Sequence, residues 1–569
     1  MATRKRAGGK GKGAGTGENE LVFVALGGLG EIGMNMALYG YGPAHDRRWL
    51  MVDCGVTFAG PDLPGVDIVV PDIRFIEEEL DRLDGIVITH AHEDHYGAIV
   101  HLWPRLKAPL YMTPFTAALL EAKAASEPGV GKIPVTVVKQ GARVEIGPFE
   151  VEFVAMSHSI PEPCALAIRS PAGTVLHSGD WKIDPTPGIG LPIDTQRLAE
   201  IGDEGVVALI CDSTNAPREG SSPSEADVSK GLTQVIRKAK RRVAVTTFAS
   251  NVARIRSVAL AAQQAERDVV VMGRSMHRTI EVCRELGYLD DLPAFLSEDA
   301  YGYLPPERVV LLLTGSQGEE RAALARIASG DHRNVALSKG DTVIFSSRTI
   351  PGNEKAVGSI VNKLAEAEVD IVTDRDALVH VSGHPRQDEL VQLYELLKPK
   401  ALIPAHGEAM HLKAHRDLAV RHGIKDTLIA RNGDVVRLGT GKLAVVDEVP
   451  TGITVKDGLL YGDVEEMGVN ERRKLSFAGA VTVSVVIDAK GALIGEPMAS
   501  LFGLPETDRE GDDLEDIVID EVISALESIP KNRRKDDDVV AEAARRAARA
   551  AVRDCWGKKP LTEALVQRV

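Results

Sequence analysis

One stretch of seven residues limits what this chain can be. "THAHEDH" (89–95) places His90, His92, Asp94 and His95 within six positions, directly after the apolar run "GIVI" (85–88). A short apolar run of this kind reads as a buried strand, so the strand ends by presenting four potential metal ligands. Residues 90 and 92 lie on one side of an extended chain. Asp94 and His95 follow in a turn, which can redirect them toward a second point. The bland alternative is a polar loop with incidental histidines. With 15 histidines in 569 residues, three in six positions argue against it. Imidazole nitrogens and carboxylate oxygens together suit zinc or a similar divalent ion.

Four residues cannot complete two sites, so further ligands are expected at other strand ends. His158 ends "FVAMSH", Asp180 ends "TVLHSGD", and His406 lies in "LIPAHGE". A lone histidine at a strand end is usually structural. These three occur in the order and setting that a distributed site requires. His90, His92 and His158 are read as one set, Asp94, His95 and His406 as another, with Asp180 bridging. The cofactor expectation is two divalent ions per subunit, Zn²⁺ first and Mn²⁺ as the alternative. Ions about 3.5–4 Å apart can activate a shared water and stabilise charge on both sides of a displacement.

The length suggests two to four domains. The composition, 44% apolar and 26% charged, is that of a soluble globular protein. No apolar run reaches the roughly 18 residues of a membrane span, so no membrane association is expected. The first 19 residues are basic and Gly-rich without an apolar segment, and read as a disordered tail, not a secretory signal. Five scattered cysteines without a C-x-x-C pair point to a reducing, cytoplasmic setting and away from a cysteine-held zinc. The net charge of −15 counts modestly against nucleic-acid binding but leaves room for a local basic groove. Strand-like runs at 21–28, 48–55, 149–158 and 173–180 precede a regular α/β pattern from about 212 to 373. "GGLGEIG" spells a dinucleotide-binding fingerprint, and Asp53 falls at the fitting distance. The residues after it, however, soon read as another strand instead of a crossover helix. The glycines are therefore expected to form a tight turn between neighbouring strands.

H-x-H-x-D-H followed by separate His, Asp and His resembles the metal signature of the metallo-β-lactamase superfamily. The long interval between Asp180 and His406 resembles its β-CASP subgroup. There "CDSTN" (211–215) is similar to the first motif, with Asp212 as its acid, and "HVSGH" (380–384) to the second. "ALGGLGEIGMN", "TFASN", "GRSM", "LTGSQGE" and "FSSRTIPGN" add a resemblance to the bacterial ribonuclease J family, from about residue 20 into the C-terminal segment. The resemblance implies an α/β fold: a four-layer αββα metallo-β-lactamase domain (20–214 and 374–447) with an inserted α/β β-CASP domain (215–373). A linker (448–465) and a small C-terminal α/β domain (466–569) follow.

The implied activity is a metal-dependent ribonuclease. It would act 5′→3′ on 5′-monophosphorylated single-stranded RNA, with endonuclease activity besides, in mRNA decay and rRNA maturation. By the same resemblance His384 donates a proton to the leaving 3′ oxygen, and Asp212 orients a metal ligand or that histidine. His380, Val381, Ser382, Gly383 and His384 contact substrate, as do Ser250, Asn251 and Val252. Ser250 and Asn251 also suit a helix N-cap, and the two readings are compatible. A homodimer or homotetramer and association with other RNA-decay proteins are implied. Two other classes remain. A hydrolase of small esters would not need the insert or "HVSGH". A catalytically dead RNA-binding scaffold would not need an intact ligand set.

Overall fold

The computed structural model describes residues 19–350, 352–439 and 441–569. The expected basic tail lies outside them up to residue 18. Two units separate: residues up to 57 together with 70–452, and 58–69 together with 453–569.

The first unit is built on two facing sheets. One has eight strands in the order Ala444–Glu448, Asp434–Leu438, Glu20–Gly27, Met36–Gly42, Arg48–Val52, Leu83–Val87, Leu110–Met112 and Val135–Val137. The other has seven: Asp426–Thr427, Ala401–Ala405, Val206–Asp212, Gly173–His177, Cys164–Ser170, Phe149–Ala155 and Arg143–Ile146. Between them Phe23, Tyr39 and Leu50 meet Phe149, Phe153 and Leu166 in one core. The other face of the second sheet packs Leu209 and Leu402 against Leu198, Leu393 and Leu418 of the helices Thr195–Glu204, Gln387–Leu397 and Ala409–Arg421. In the first sheet Val22, Val24, Leu38 and Ile86 are buried as well. Strands covered on both faces read as continuous apolar runs instead of alternating ones, which is how they look in the sequence. The helices Ile99–Leu106 and Pro114–Ser126 belong to the outer layer on this side. The result is the αββα arrangement.

"GGLGEIG" lies between Glu20–Gly27 and Met36–Gly42, which are antiparallel neighbours. A crossover helix is therefore absent there, and the dinucleotide reading falls away.

The insert is a five-stranded parallel sheet in the order Asp268–Met272, Val309–Leu313, Val243–Thr246, Thr342–Phe345 and Asp370–Val372. Val270, Leu311, Leu313 and Val343 form its core with Leu324 and Leu364 from its helices. The chain then re-enters the second sheet: Ala401–Ala405 pairs in parallel with Val206–Asp212, Asp212 lying opposite Ala405.

In the second unit Ala480–Ile487 pairs antiparallel with Met498–Phe502 and in parallel with Leu561–Arg568. Its alternate residues Val481, Val483, Val485 and Ile487 pack on the helices Leu514–Ser528 and Asp537–Trp556. The segment 448–465, expected as a linker, contains the hairpin Ile453–Asp457 with Leu460–Gly462, turned at Gly458. Residues 58–69 join this unit because Asp67 accepts from the Gly458 amide and donates its own to Lys456 O. Among the described residues no helix is long and apolar enough to cross a membrane.

The Phe153 ring is fully buried between the sheets. Phe153→Ala is expected to destabilise the first unit by about 3–5 kcal/mol. Urea unfolding followed by tryptophan fluorescence measures it.

Candidate metal centre

The strands of both sheets deliver their polar ends to one place. His90 follows Leu83–Val87, His158 follows Phe149–Ala155, and Asp180 follows Gly173–His177. Asp212 ends Val206–Asp212, and His406 follows Ala401–Ala405. The short helix Glu93–Tyr96 turns Asp94 and His95 into the same space. Three groups of potential ligand atoms result, each mutually within 4.8 Å. They are His90, His92, His158 and Asp180; Asp94, His95, Asp180 and His406; and Asp180, Asp212, His384 and His406. The seven side chains singled out as ligands thus converge, and Asp180 belongs to both of their sets.

The hydrogen bonds around the cluster decide which ring nitrogens point inward. A carbonyl or carboxylate oxygen can only accept, so the nitrogen facing it carries the proton. His158 Nδ1 donates to Gly383 O at 2.7 Å, and His95 Nδ1 donates to Asp53 Oδ2 at 2.7 Å. Thr89 Oγ1 donates to Asp53, leaving its lone pair for His90 Nδ1 at 3.0 Å. Thr214 Oγ1 donates to His406 O and accepts from His406 Nδ1 at 2.8 Å. In these four rings Nε2 is the nitrogen turned toward the cluster, where His95 Nε2 lies 3.1 Å from Asn35 Nδ2 and His406 Nε2 lies 3.1 Å from Asp94 Oδ2. His92 is reversed. Its Nδ1 lies 3.2 Å from His90 Nε2 and 3.1 Å from His158 Nε2.

Asp180 faces both sets. Its Oδ2 is 3.7 Å from His90 Nε2 and 3.7 Å from His158 Nε2, and its Oδ1 is 3.3 Å from His95 Nε2. Oδ1 is buried and receives no hydrogen bond. A buried carboxylate oxygen without a hydrogen bond, set among the imidazole nitrogens of His90, His95 and His158, calls for a cation. The donor set therefore fits divalent ions.

The electrostatics agree. Burial pushes His90 and His158 well below the usual imidazole range, and His92 down to about 4. Burial would also lower His95 and His406, but Asp180 and the neighbouring carboxylates outweigh it and hold both well above that range. Asp180 stays far below the usual carboxylate range, since His406, His95 and His384 overcome its burial. Positive charge is thus favoured where Asp180, His95 and His406 meet.

The cluster is open on the side of Asp94 and His384, whose side chains are 29% and 19% exposed. His384 Nδ1 is 2.7 Å from Asp212 Oδ2, and Asp212 Oδ1 accepts the Thr214 amide. Burial opposes charge on His384, but Asp212 and Asp180 raise its pKa. Ser382 Oγ accepts from Asn215 Nδ2 at 2.9 Å. Val381 is buried, and His380 Nδ1 lies 3.4 Å from Arg254 Nη1. In the other segment Asn251 caps the helix Val252–Gln264 through its Oδ1. The Asn251 and Val252 amides donate to Phe248 O and Ser250 O, so these two amides are not left over to cradle an anion.

Sequence reasoning missed the residues that hold the rings: Asp53, Thr89, Thr214 and the Gly383 carbonyl. Asp53 carries a signal in hindsight. It is an acid at the end of an apolar strand, and its φ of +63° is a conformation that a non-glycine residue adopts only under constraint.

Fold and cluster define a metallo-β-lactamase-superfamily hydrolase with a β-CASP insertion. Family models match in the same places: "Metallo-beta-lactamase superfamily" over 35–201 and "Ribonuclease J, beta-CASP domain" over 240–364. "Zn-dependent metallo-hydrolase RNA specificity domain" matches 368–430 and "Ribonuclease J C-terminal domain" 467–569. The chain is 55% identical over 552 residues to ribonuclease J of Sinorhizobium meliloti, covering 97% of this chain and 98% of that one. It is 39% identical to ribonuclease J of Mycobacterium tuberculosis, covering 94% and 95%. The chain belongs to the ribonuclease J family. The crystal structure of a protein of unknown function from Enterococcus faecalis shares the fold, with a TM-score of 0.53 at 15% identity over 74% of this chain and 100% of that one.

A Cβ added to Gly383 would stand 2.4 Å from the His158 ring, so that ring must move. Gly383→Ala is expected to weaken metal binding about 10- to 100-fold, the cost typical of disturbing a ligand's support. Competition with a chromogenic zinc chelator measures it.

Proposed function

We propose that this protein is a metal-dependent ribonuclease. It trims single-stranded RNA 5′→3′ from a 5′ monophosphate, cleaves internally as a secondary activity, and serves RNA decay and rRNA maturation in the cytoplasm. Self-association as a dimer or tetramer, and contact with other RNA-decay proteins, accompany this reading. One observation carries it most. His384, paired with Asp212, stands at the open side of the cluster on the segment that also carries Ser382. A hydrolase of small esters has no use for that segment.

His90, His92 and His158 would hold one ion, Asp94, His95 and His406 the other, and Asp180 both. When bound, such ions supply water activation and neutralisation of charge on a phosphoryl group. The chain's own residues do the rest. Asp212 binds His384 Nδ1, which fixes the ring and leaves Nε2 toward the opening, to hand a proton to the leaving 3′ oxygen. The Ser382 hydroxyl, oriented by Asn215, can donate to a phosphate oxygen. Ser250 offers its hydroxyl, and Asn251 its side-chain Nδ2, to a phosphate further along the strand. The preference for a monophosphate follows from the kind of donors. Hydroxyls and amides bind a terminal phosphate by direct hydrogen bonds. A 5′ hydroxyl leaves them unpaired, at about 1–3 kcal/mol each if buried. A triphosphate adds charge and bulk without a dedicated cluster of Lys or Arg side chains.

His384→Ala is expected to keep its metals and bind RNA but to cleave about 100- to 10,000-fold more slowly. Metal analysis alongside single-turnover cleavage checks this, and loss of metal would move His384 into the ligand set. The 5′ preference is tested with one RNA bearing monophosphate, triphosphate or hydroxyl. The first should release mononucleotides fastest, and equal initial rates would remove the pocket while leaving the nuclease reading intact.

A further inference from the structure

Behind the cluster lie four charged side chains that the metal chemistry does not use. Lys182, Asp184, Glu225 and Arg254 all have side chains without solvent exposure. Lys182 Nζ is 2.8 Å from Asp184 Oδ2 and 3.5 Å from Glu225 Oε1. Glu225 Oε2 accepts from Arg254 Nη2 at 3.0 Å, and Asp184 Oδ2 accepts the Glu225 amide at 2.8 Å. Burying such groups costs more than well-packed apolar residues of the same volume. Arg254 Nε even remains without an acceptor. Stability alone does not account for the arrangement.

Its connections give a better account. Lys182 follows Asp180 by two residues, and its amide donates to Ser157 O, next to His158. Arg254 stands in the first turn of the helix capped by Asn251. The other end of its guanidinium reaches the segment before His384. Nη1 donates to Ser346 O at 3.0 Å, Ser346 Oγ at 2.6 Å and Val379 O at 3.1 Å, and lies 3.4 Å from His380 Nδ1. Ser346 Oγ donates in turn to Val379 O at 2.6 Å. Gly383, in the same segment, holds His158. One planar fork thus ties the loop of Ser250 and Asn251 to the segment 379–384, with Glu225 setting its direction. A point charge on a flexible stem cannot do this.

We infer that Arg254, oriented by Glu225, is a positioning residue for the cleavage step: it fixes the main chain at Val379–His380 and thereby the placement of Ser382 and His384 against the bound strand. The inference rests on the nuclease reading above. Misplacing reacting groups by an ångström costs about 100-fold in rate, without a matching loss of binding.

The test uses the full-length, metal-loaded protein and a 5′-monophosphorylated RNA. It compares wild type, Arg254→Lys, Ser346→Ala and the double variant Glu225→Gln/Arg254→Met. Metal content, thermal midpoint, kcat and KM are read for each. Arg254→Lys should lose about 100-fold in kcat, with metal content and KM close to wild type. Ser346→Ala, which disturbs packing least, should lose kcat in the same sense but less. The double variant removes a matched pair of buried charges, so it should recover the midpoint lost in Arg254→Lys while staying slow. A stable double variant at the wild-type rate overturns the inference alone. So does a rate loss in Arg254→Lys that tracks lost metal. Absence of metal-dependent RNA cleavage by the wild type overturns the nuclease reading, and this inference with it.

Discussion

The Asp180 carboxylate is the hinge of the site. One oxygen faces His90 and His158, and the other, without any hydrogen bond of its own, faces His95. A buried anion in this position is stable only beside positive charge. The surrounding order follows from that requirement. Four of the rings are held by their far nitrogens so that the near ones face the cluster, and three of the holders, Asp53, Thr89 and Thr214, follow the carboxyl ends of strands in two different sheets. Asp53 serves two ligands at once, His95 directly and His90 through Thr89. A change at Asp53 therefore reaches both sides of Asp180.

What could be read in the sequence was what lies close along the chain or has no other use. Four ligating side chains in "THAHEDH" are hard to explain otherwise, and the strands that carry His158, Asp180 and His406 announce themselves by apolar runs. Asp212 and His384 needed a family resemblance. They are 172 residues apart when they meet, and His384 has no local pattern to mark it, although Asp212, like Asp53, ends an apolar strand. The supports were illegible for the same reason. His158 finds Gly383 O across 225 residues, and His406 finds Thr214 across 192. Arg254 looks like any helix-surface arginine in "VARIRSVAL" until the tertiary structure closes over it. The hairpin at 453–462 was hidden by a Pro- and Gly-containing approach that reads as a linker. In the Ser250–Val252 segment, expected to contact substrate, the Asn251 and Val252 amides are spent on local turns.

The insert does more than widen a cleft. Its parallel strands end in "TTFASN" and "FSS", and the chain leaving it runs directly into "HVSGH". The helix of Arg254 and the strand before Ser346 belong to the insert, whereas His384 faces the candidate ligands at the ends of the two facing sheets. The segment proposed to face substrate and the side chains proposed to hold metal thus share supports, and the two parts cannot be tuned independently.

The return of the chain at Ala401–Ala405 has a consequence for synthesis. Six of the seven candidate ligands are made within the first 180 residues, but His406 and the strand that carries it come only after the whole insert. A nascent polypeptide leaving the ribosome therefore lacks both the second parallel neighbour of Val206–Asp212 and the last imidazole until roughly two hundred further residues have been added. Closure over so long a loop is a late, entropically opposed event. A chain that stops short of residue 406 lacks the last candidate ligand of the cluster.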